Sequence, residues 1–128
     1  MEIRTEHESP LKLEKLIISE CRFARSEDSL ENLKLNVRVG RQIEPLGMGK
    51  YRVILELFIG DKDEKLEISV KCLAHFETMQ EYSPLIGKNT LAIMFPYIRS
   101  YISTITAQPG MSPIVLPPMN IVSMFQNE

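Results

Sequence analysis

The residues with the most chemical reach in this sequence are two histidines, two cysteines and a short glycine-lysine run. A zinc site needs three or four converging ligands, and His7 and His75 have no second His or Cys at ligand spacing. His75 reads as a surface residue near a strand end. Cys21 and Cys72 lie far apart and form neither a CxxC pair nor a Cys/His cluster. They read as buried thiols in a reducing compartment rather than as ligands or a disulfide. Gly47-Met48-Gly49-Lys50 superficially resembles a phosphate loop. That motif, GxxxxGK[ST], needs glycine where Glu44 stands and Ser or Thr where Tyr51 stands, so a hairpin turn explains the glycines. Carboxylates are plentiful but fall on strand faces and turns, and no GxSxG elbow or HExxH helix occurs. The expectation is a non-enzyme with no catalytic residues, no metal and no cofactor.

Composition narrows the partners. The chain has 128 residues, the size of one domain spanning 1–128. Its 44% hydrophobic and 25% charged residues suit a globular protein that buries a core without disulfides. A net charge of −2 supplies no basic surface for nucleic acid. Residues 1–10 are too polar and acidic for a secretory signal. The closest approach to a membrane span, Leu91 to Gln108, is broken by Pro96 and Arg99. A cytoplasmic location without membrane insertion is expected.

The elements that would position any site divide by charge. After Pro84 the only charged residues are Lys88, Arg99 and Glu128. Before it the spacing has period two, as half-buried antiparallel strands require. Leu33, Leu35, Val37 and Val39 alternate with Lys34, Asn36 and Arg38, while Leu66, Ile68, Val70 and Cys72 alternate with Glu67, Ser69 and Lys71. Tyr51 to Ile59 is more fully apolar and suits a central strand. Leu11 to Phe23 is a further strand, in which Leu16-Ile17-Ile18 breaks the alternation and marks a bulge. Hairpin turns fall at Pro45-Leu46-Gly47-Met48-Gly49 and at Gly60-Asp61-Lys62-Asp63, and the polar stretch Arg25 to Asn32 reads as a crossover. The strands lie within about residues 11–76.

From Asn89 the period changes to that of a helix, over about residues 89–108. Leu91, Met94, Phe95, Ile98, Ile102 and Ile105 share one side. Asn89 or Thr90 can cap the start and Pro109-Gly110 stops the end. Pro96 implies a loose first turn or a start nearer the proline. The opposite side carries Ile93, Tyr97, Ser100, Ser103 and Thr104, with no charge among them. A solvated helix back usually carries Lys and Glu, so these residues are expected to form an oligomer interface. A proline-bearing loop, 109–118, follows. A short helix over about 119–126 then presents Ile121, Val122, Met124 and Phe125.

Several pieces of this C-terminal third stand in a specific order: Phe95-Pro96-Tyr97-Ile98-Arg99, Gly110, Leu116-Pro117-Pro118-Met119-Asn120 and Phe125. Together they resemble the signature end of the SecB protein-export chaperones. The resemblance implies a two-layer α+β fold, a four-stranded antiparallel Greek-key sheet packed by one long helix plus a short C-terminal helix. It also implies a homotetramer built as a dimer of dimers, with the long helices sandwiched between sheets. A long apolar groove would bind extended, unfolded precursor polypeptides without ATP.

Adaptable apolar area suits such a groove, and thioethers repack around varied shapes. Leu33, Leu35 and Val37 are candidates for its floor. Met111, Ile114 and Leu116 are candidates for its wall, with Met119, Ile121, Met124 and Phe125 from the terminal helix. Family members working in export often add an acidic tail that engages the translocase motor SecA, whereas this sequence ends at Gln126-Asn127-Glu128. Glu14, Glu20, Glu56 and Glu67 are the candidates for a motor-facing sheet surface. Two other readings stand beside export: a SecB-like chaperone dedicated to one client, such as the antitoxin of a toxin–antitoxin pair, and a small-molecule binding protein using the same groove.

Overall fold

The computed structural model of the chain describes residues 11–79 and 86–118. Four antiparallel strands, β1 (Leu11–Arg25), β2 (Asn36–Gly47), β3 (Lys50–Gly60) and β4 (Leu66–Thr78), form one sheet in the order β1-β4-β3-β2. Three strands follow one another through tight turns, while β1 lies beside β4 and reaches β2 only through a crossover. That is the Greek-key arrangement expected. One helix, α1 (Ile86–Ile105), packs on one face. The fold is α+β, in two layers.

Cross-strand partners share a face, so the register shows how the sequence builds the core. Val39, Leu57 and Val70 are successive partners across the sheet, as are Ile43, Val53 and Ala74. Val53, Leu55, Leu57 and Ile59 of β3 and Leu66, Ile68, Val70 and Cys72 of β4 are all buried under the helix. In β1 the register shifts between Leu13 and Lys15 and again between Ile18 and Glu20. Each extra residue resets the alternation. Leu11, Leu13, Leu16, Ile18, Cys21 and Phe23 are therefore all paired with helix-facing residues of β4. The irregularity expected at residues 16–18 is two bulges, one on either side of it. They also break up a long edge strand that would otherwise be an open template for pairing.

The turns are tighter than the sequence suggests. β2 runs through Pro45 to Gly47 and leaves only Met48 and Gly49 to reverse the chain. Both have positive φ, 58° and 76°, the mirror-image turn whose twist matches the flanking strands. At its other end β2 begins at Asn36, so Leu33 and Leu35 precede the strand expected to contain them. The β3–β4 turn is held by the Asp61 carboxylate, which accepts the N–H of Leu66 at 2.9 Å and of Asp63 at 3.2 Å. Desolvation alone would raise the pKa of Asp61, but these backbone donors outweigh it and hold the carboxyl below its usual range.

The helix departs from the expected boundaries. It starts at Ile86 rather than Asn89 and ends at Ile105 rather than near Gln108. Thr90 is no cap. It is fully buried within the helix, and its hydroxyl donates to the Ile86 carbonyl one turn back. Pro96 lies ten residues inside the helix, on its exposed side. An interior proline costs about 3 kcal/mol, and burial of Leu91, Met94, Phe95 and Ile98, all at most 5% exposed, offsets it. The missing N–H faces away from the sheet. The expected short helix over 119–126 lies outside the described residues.

Candidate functional site

Two irregular segments leave the same end of the sheet and bound one cleft. The crossover from β1 to β2 runs along one side, and the segment after α1 runs along the other. Between them is a cavity of about 420 Å³ lined by Ser29, Leu30, Glu31, Leu33, Leu35, Leu66, Gly110, Met111, Ser112 and Ile114. Leu66 is the first residue of β4 and only 2% exposed, so it supplies a rigid floor. Glu31 is the single ionised side chain in the lining, which is otherwise aliphatic, thioether and hydroxyl.

Side-chain hydrogen bonds to backbone hold both walls. The segment after α1 folds back along the helix. Thr106 Oγ1 accepts the N–H of Ile114 at 2.8 Å, Ser103 Oγ donates to the Ile114 carbonyl at 2.9 Å, and Arg99 Nε donates to the Leu116 carbonyl at 3.2 Å. The crossover is a chain of small turns. Ser26 Oγ accepts from Asp28 N–H and Ser29 Oγ from Glu31 N–H, both at 3.2 Å, and Leu33 N–H reaches the Leu30 carbonyl at 3.4 Å. Arg25, the last residue of β1, touches both walls through Ser26, Asp28 and Gly110.

Of the residues expected to bind clients, the cleft gathers Leu33, Leu35, Met111 and Ile114. Val37 is half-buried on β2, outside the lining. Leu116 is 3% exposed and packs into the core. Met119, Ile121, Met124 and Phe125 lie outside the described residues. Sequence reasoning missed Leu30, Leu66 and the hydroxyl residues. Leu30 had a legible signal, being the lone apolar residue of the polar crossover, whereas Leu66 read only as strand core.

The residues expected at an oligomer interface occupy the helix side away from the sheet. Tyr97, Ser100 and Thr104 are exposed, Ile93 and Ser103 half-buried. Ser103 is already engaged by its own chain through Ile114. Together with Asn89, Ala92 and Pro96 the exposed residues form an uncharged strip along α1.

The opposite face of the sheet is mixed in charge. Lys71 is the cross-strand partner of both Glu20 and Glu56, and Arg52 bonds Glu44. Arg38 stacks on Phe58 at 5.4 Å, beside a second cleft of about 470 Å³ lined by Arg22, Asn36, Asp61, Lys62 and Glu67 among others. Glu20, Glu56 and Glu67 therefore alternate with cations instead of forming an acidic field.

Cys72 is buried as expected, and burial pushes its thiol up to about 11. Cys21 departs from the expectation. The second bulge turns it toward α1 at the sheet edge, where it is exposed and close enough to Tyr101 to push that phenol's pKa up. Among the described residues no group of three or more His, Cys, Asp or Glu could hold a metal ion. None of their helices is long and apolar enough to cross a membrane.

Residues 22–128 match the family model for the preprotein translocase subunit SecB. The chain belongs to the SecB family. An uncharacterised protein of Methanocaldococcus jannaschii is 31% identical over 91% of this chain and 83% of its own. The protein-export protein SecB of Methylococcus capsulatus is 29% identical over 74% of this chain and 66% of its own. The SecB-like chaperone of Mycobacterium tuberculosis, solved in complex with a ChAD peptide from the HigA1 antitoxin, superposes with a TM-score of 0.70. That match covers 85% of this chain and 89% of the other at 13% identity, a likeness of fold. The SecB membership accounts for the long-helix-on-sheet plan and for the motif order around Phe95-Pro96-Tyr97.

Proposed function

We propose that this SecB-family chain is an ATP-independent holding chaperone that binds unfolded precursor polypeptides in the cleft between the crossover and the post-helix segment. The observation that carries the reading is the lining itself: Leu30, Leu33, Leu35, Leu66, Met111 and Ile114 converge on one open cavity with a single charge among the lining residues. Burying apolar surface yields roughly 25 cal/mol per Å², and ordering an extended client returns much of that gain. Useful affinity therefore comes from a long client touching several sites on an assembly. A folded client hides its apolar segments and escapes, which makes the activity kinetic.

The working form in this reading is a homotetramer, a dimer of dimers assembled through the uncharged strip on α1. SecA is the motor partner if the clients are destined for export. The decisive assay is suppression of aggregation of a chemically unfolded precursor by wild-type chain and by a Leu33→Asp, Met111→Asp double variant. Wild-type suppression and loss of at least about ten-fold in the variant's potency are expected. Equal potency from a variant of native mass and native far-UV spectrum would remove the cleft from the mechanism.

A second reading is favoured by one observation, the antitoxin peptide held by the M. tuberculosis SecB-like chaperone. Here the same cleft would serve one dedicated client. Affinity capture from native cells separates the two: a single small partner supports dedication, many secretory precursors the general form. A small molecule in the cleft would instead appear as a stoichiometric mass in native mass spectrometry.

A further inference from the structure

We propose that Arg25 is a positioning residue of the cleft, whose guanidinium fixes the separation of the two walls and so the width open to a client segment. The inference rests on the cleft being the client site. The geometry behind it is a planar fork of donors reading three backbone carbonyls from two loops. Nε donates to the Ser26 carbonyl at 2.8 Å and Nη2 to the Asp28 carbonyl at 2.9 Å, which curls the crossover around the arginine. Nη1 donates to the Gly110 carbonyl at 2.8 Å, across 85 residues of sequence. Gly110 has φ +83°, a left-handed conformation that a residue with a Cβ rarely adopts.

The cleft opens on the far side of this clamp, with Leu30 and Leu33 on one wall and Met111 and Ile114 on the other. The post-helix wall is independently tied to α1 by Thr106 and Ser103. The crossover is tied to the sheet by the Ser26 N–H to the Lys65 carbonyl, at its very start. Beyond Ser26, Arg25 is the side-chain hydrogen-bonding link between the walls among the described residues, so its bond to Gly110 is what sets their spacing. Lysine carries the same charge, but its donors sit on one nitrogen and cannot span three separated carbonyls.

Arg25→Lys and Arg25→Gln in the full chain test this. Binding is read by fluorescence anisotropy with labelled α-lactalbumin, reduced and carboxymethylated so that it stays unfolded. Local order is read by amide hydrogen exchange, and Met111→Asp serves as the cleft control. Both Arg25 variants should weaken binding by about five- to ten-fold, at unchanged mass, and exchange should rise in segments 27–33 and 110–114 but not in the strands. If Met111→Asp weakens binding and the Arg25 variants do not, the clamp is overturned and the cleft stands. If Met111→Asp also binds normally, the cleft reading fails and takes the clamp with it. Faster exchange throughout β3 and β4 would mark Arg25 as a global stabiliser and equally overturn the proposal.

Discussion

The Thr106 hydroxyl accepts the N–H of Ile114 at 2.8 Å and donates to the Ile102 carbonyl at 2.7 Å. One fully buried side chain thus closes the last turn of α1 and pins the segment that returns along it. Thr106→Val keeps the shape, removes both bonds and strands the Ile114 N–H in a half-buried place. Leaving such a donor unpaired costs about 1–3 kcal/mol. Urea unfolding should show that loss, with Thr106→Ser recovering most of it. A valine variant as stable as wild type would mean that the segment is held without this bond.

Gly49 is the position least tolerant of a methyl group. A Cβ there would stand 2.2 Å from the Thr78 carbonyl oxygen, and φ is already +76°. The neighbouring backbone cannot yield, because the Thr78 N–H donates to the Gly49 carbonyl at 2.9 Å. Gly49→Ala should cost roughly 2–4 kcal/mol, read as a lower thermal midpoint. Met48→Ala, at a fully exposed neighbour with φ 58°, should change the midpoint far less.

Much of this architecture was legible in the sequence, because burial in a two-layer fold writes itself as periodicity. Val53, Leu55, Leu57 and Ile59 alternate, and the stripe from Leu91 to Ile102 has the helical period; both are core. What was not legible depends on packing at a distance. The double reset of β1 needs β4 as a ruler. The helix start at Ile86 reflects burial of Ile86 and Thr90, which overrides the local capping signal. Four of the six expected cleft residues within the described segments follow from apolarity alone, but Leu116 is equally apolar and went to the core. Arg25 showed no signal at all, since its partners are backbone carbonyls that any sequence carries.

Glu14, the extra residue of the first bulge, faces Glu77 at the sheet edge. Its protonated carboxyl donates a hydrogen bond to Glu77, which is the main reason its pKa is held above the usual 4.5, with desolvation and the like charge adding, and Lys50 and His75 opposing. The folded state therefore binds this proton more tightly than the unfolded chain does. Its contribution is fully present below the unfolded pKa and is lost as pH rises through the folded value. Glu14→Gln should flatten that part of the stability profile, so the wild-type advantage over the variant shrinks as pH rises above the ordinary carboxylate range. Parallel profiles would show the two carboxyls to be independent.

Cys72 is fully buried with its thiol pushed up to about 11, while Cys21 is exposed on the edge strand. A maleimide titration of the native chain at neutral pH should leave Cys72 unmodified until denaturant is added, since the thiolate is the reacting form. Modification of Cys72 under native conditions would show that β4 opens on the timescale of the reaction.

The uncharged strip on α1 makes the last prediction, and the geometry chooses the residue to change. Ser103 is unsuitable, because its hydroxyl holds the Ile114 carbonyl and a bulky replacement would tear the chain's own loop from the helix. Thr104 is exposed, and its hydroxyl turns back to the Ser100 carbonyl at 3.0 Å, so arginine there removes only that exposed bond within its own helix. If other subunits cover the strip, Thr104→Arg places an unpaired charge in a desolvated interface. Losses of several kcal/mol are usual for that, enough to halve the assembly's mass at micromolar concentration. Light scattering on the wild type and on Thr104→Arg, with the far-UV spectrum unchanged, decides the matter. An assembly that keeps its full mass with an arginine at this position must be built on some other surface, and the lack of charge along this strip would then need a different cause.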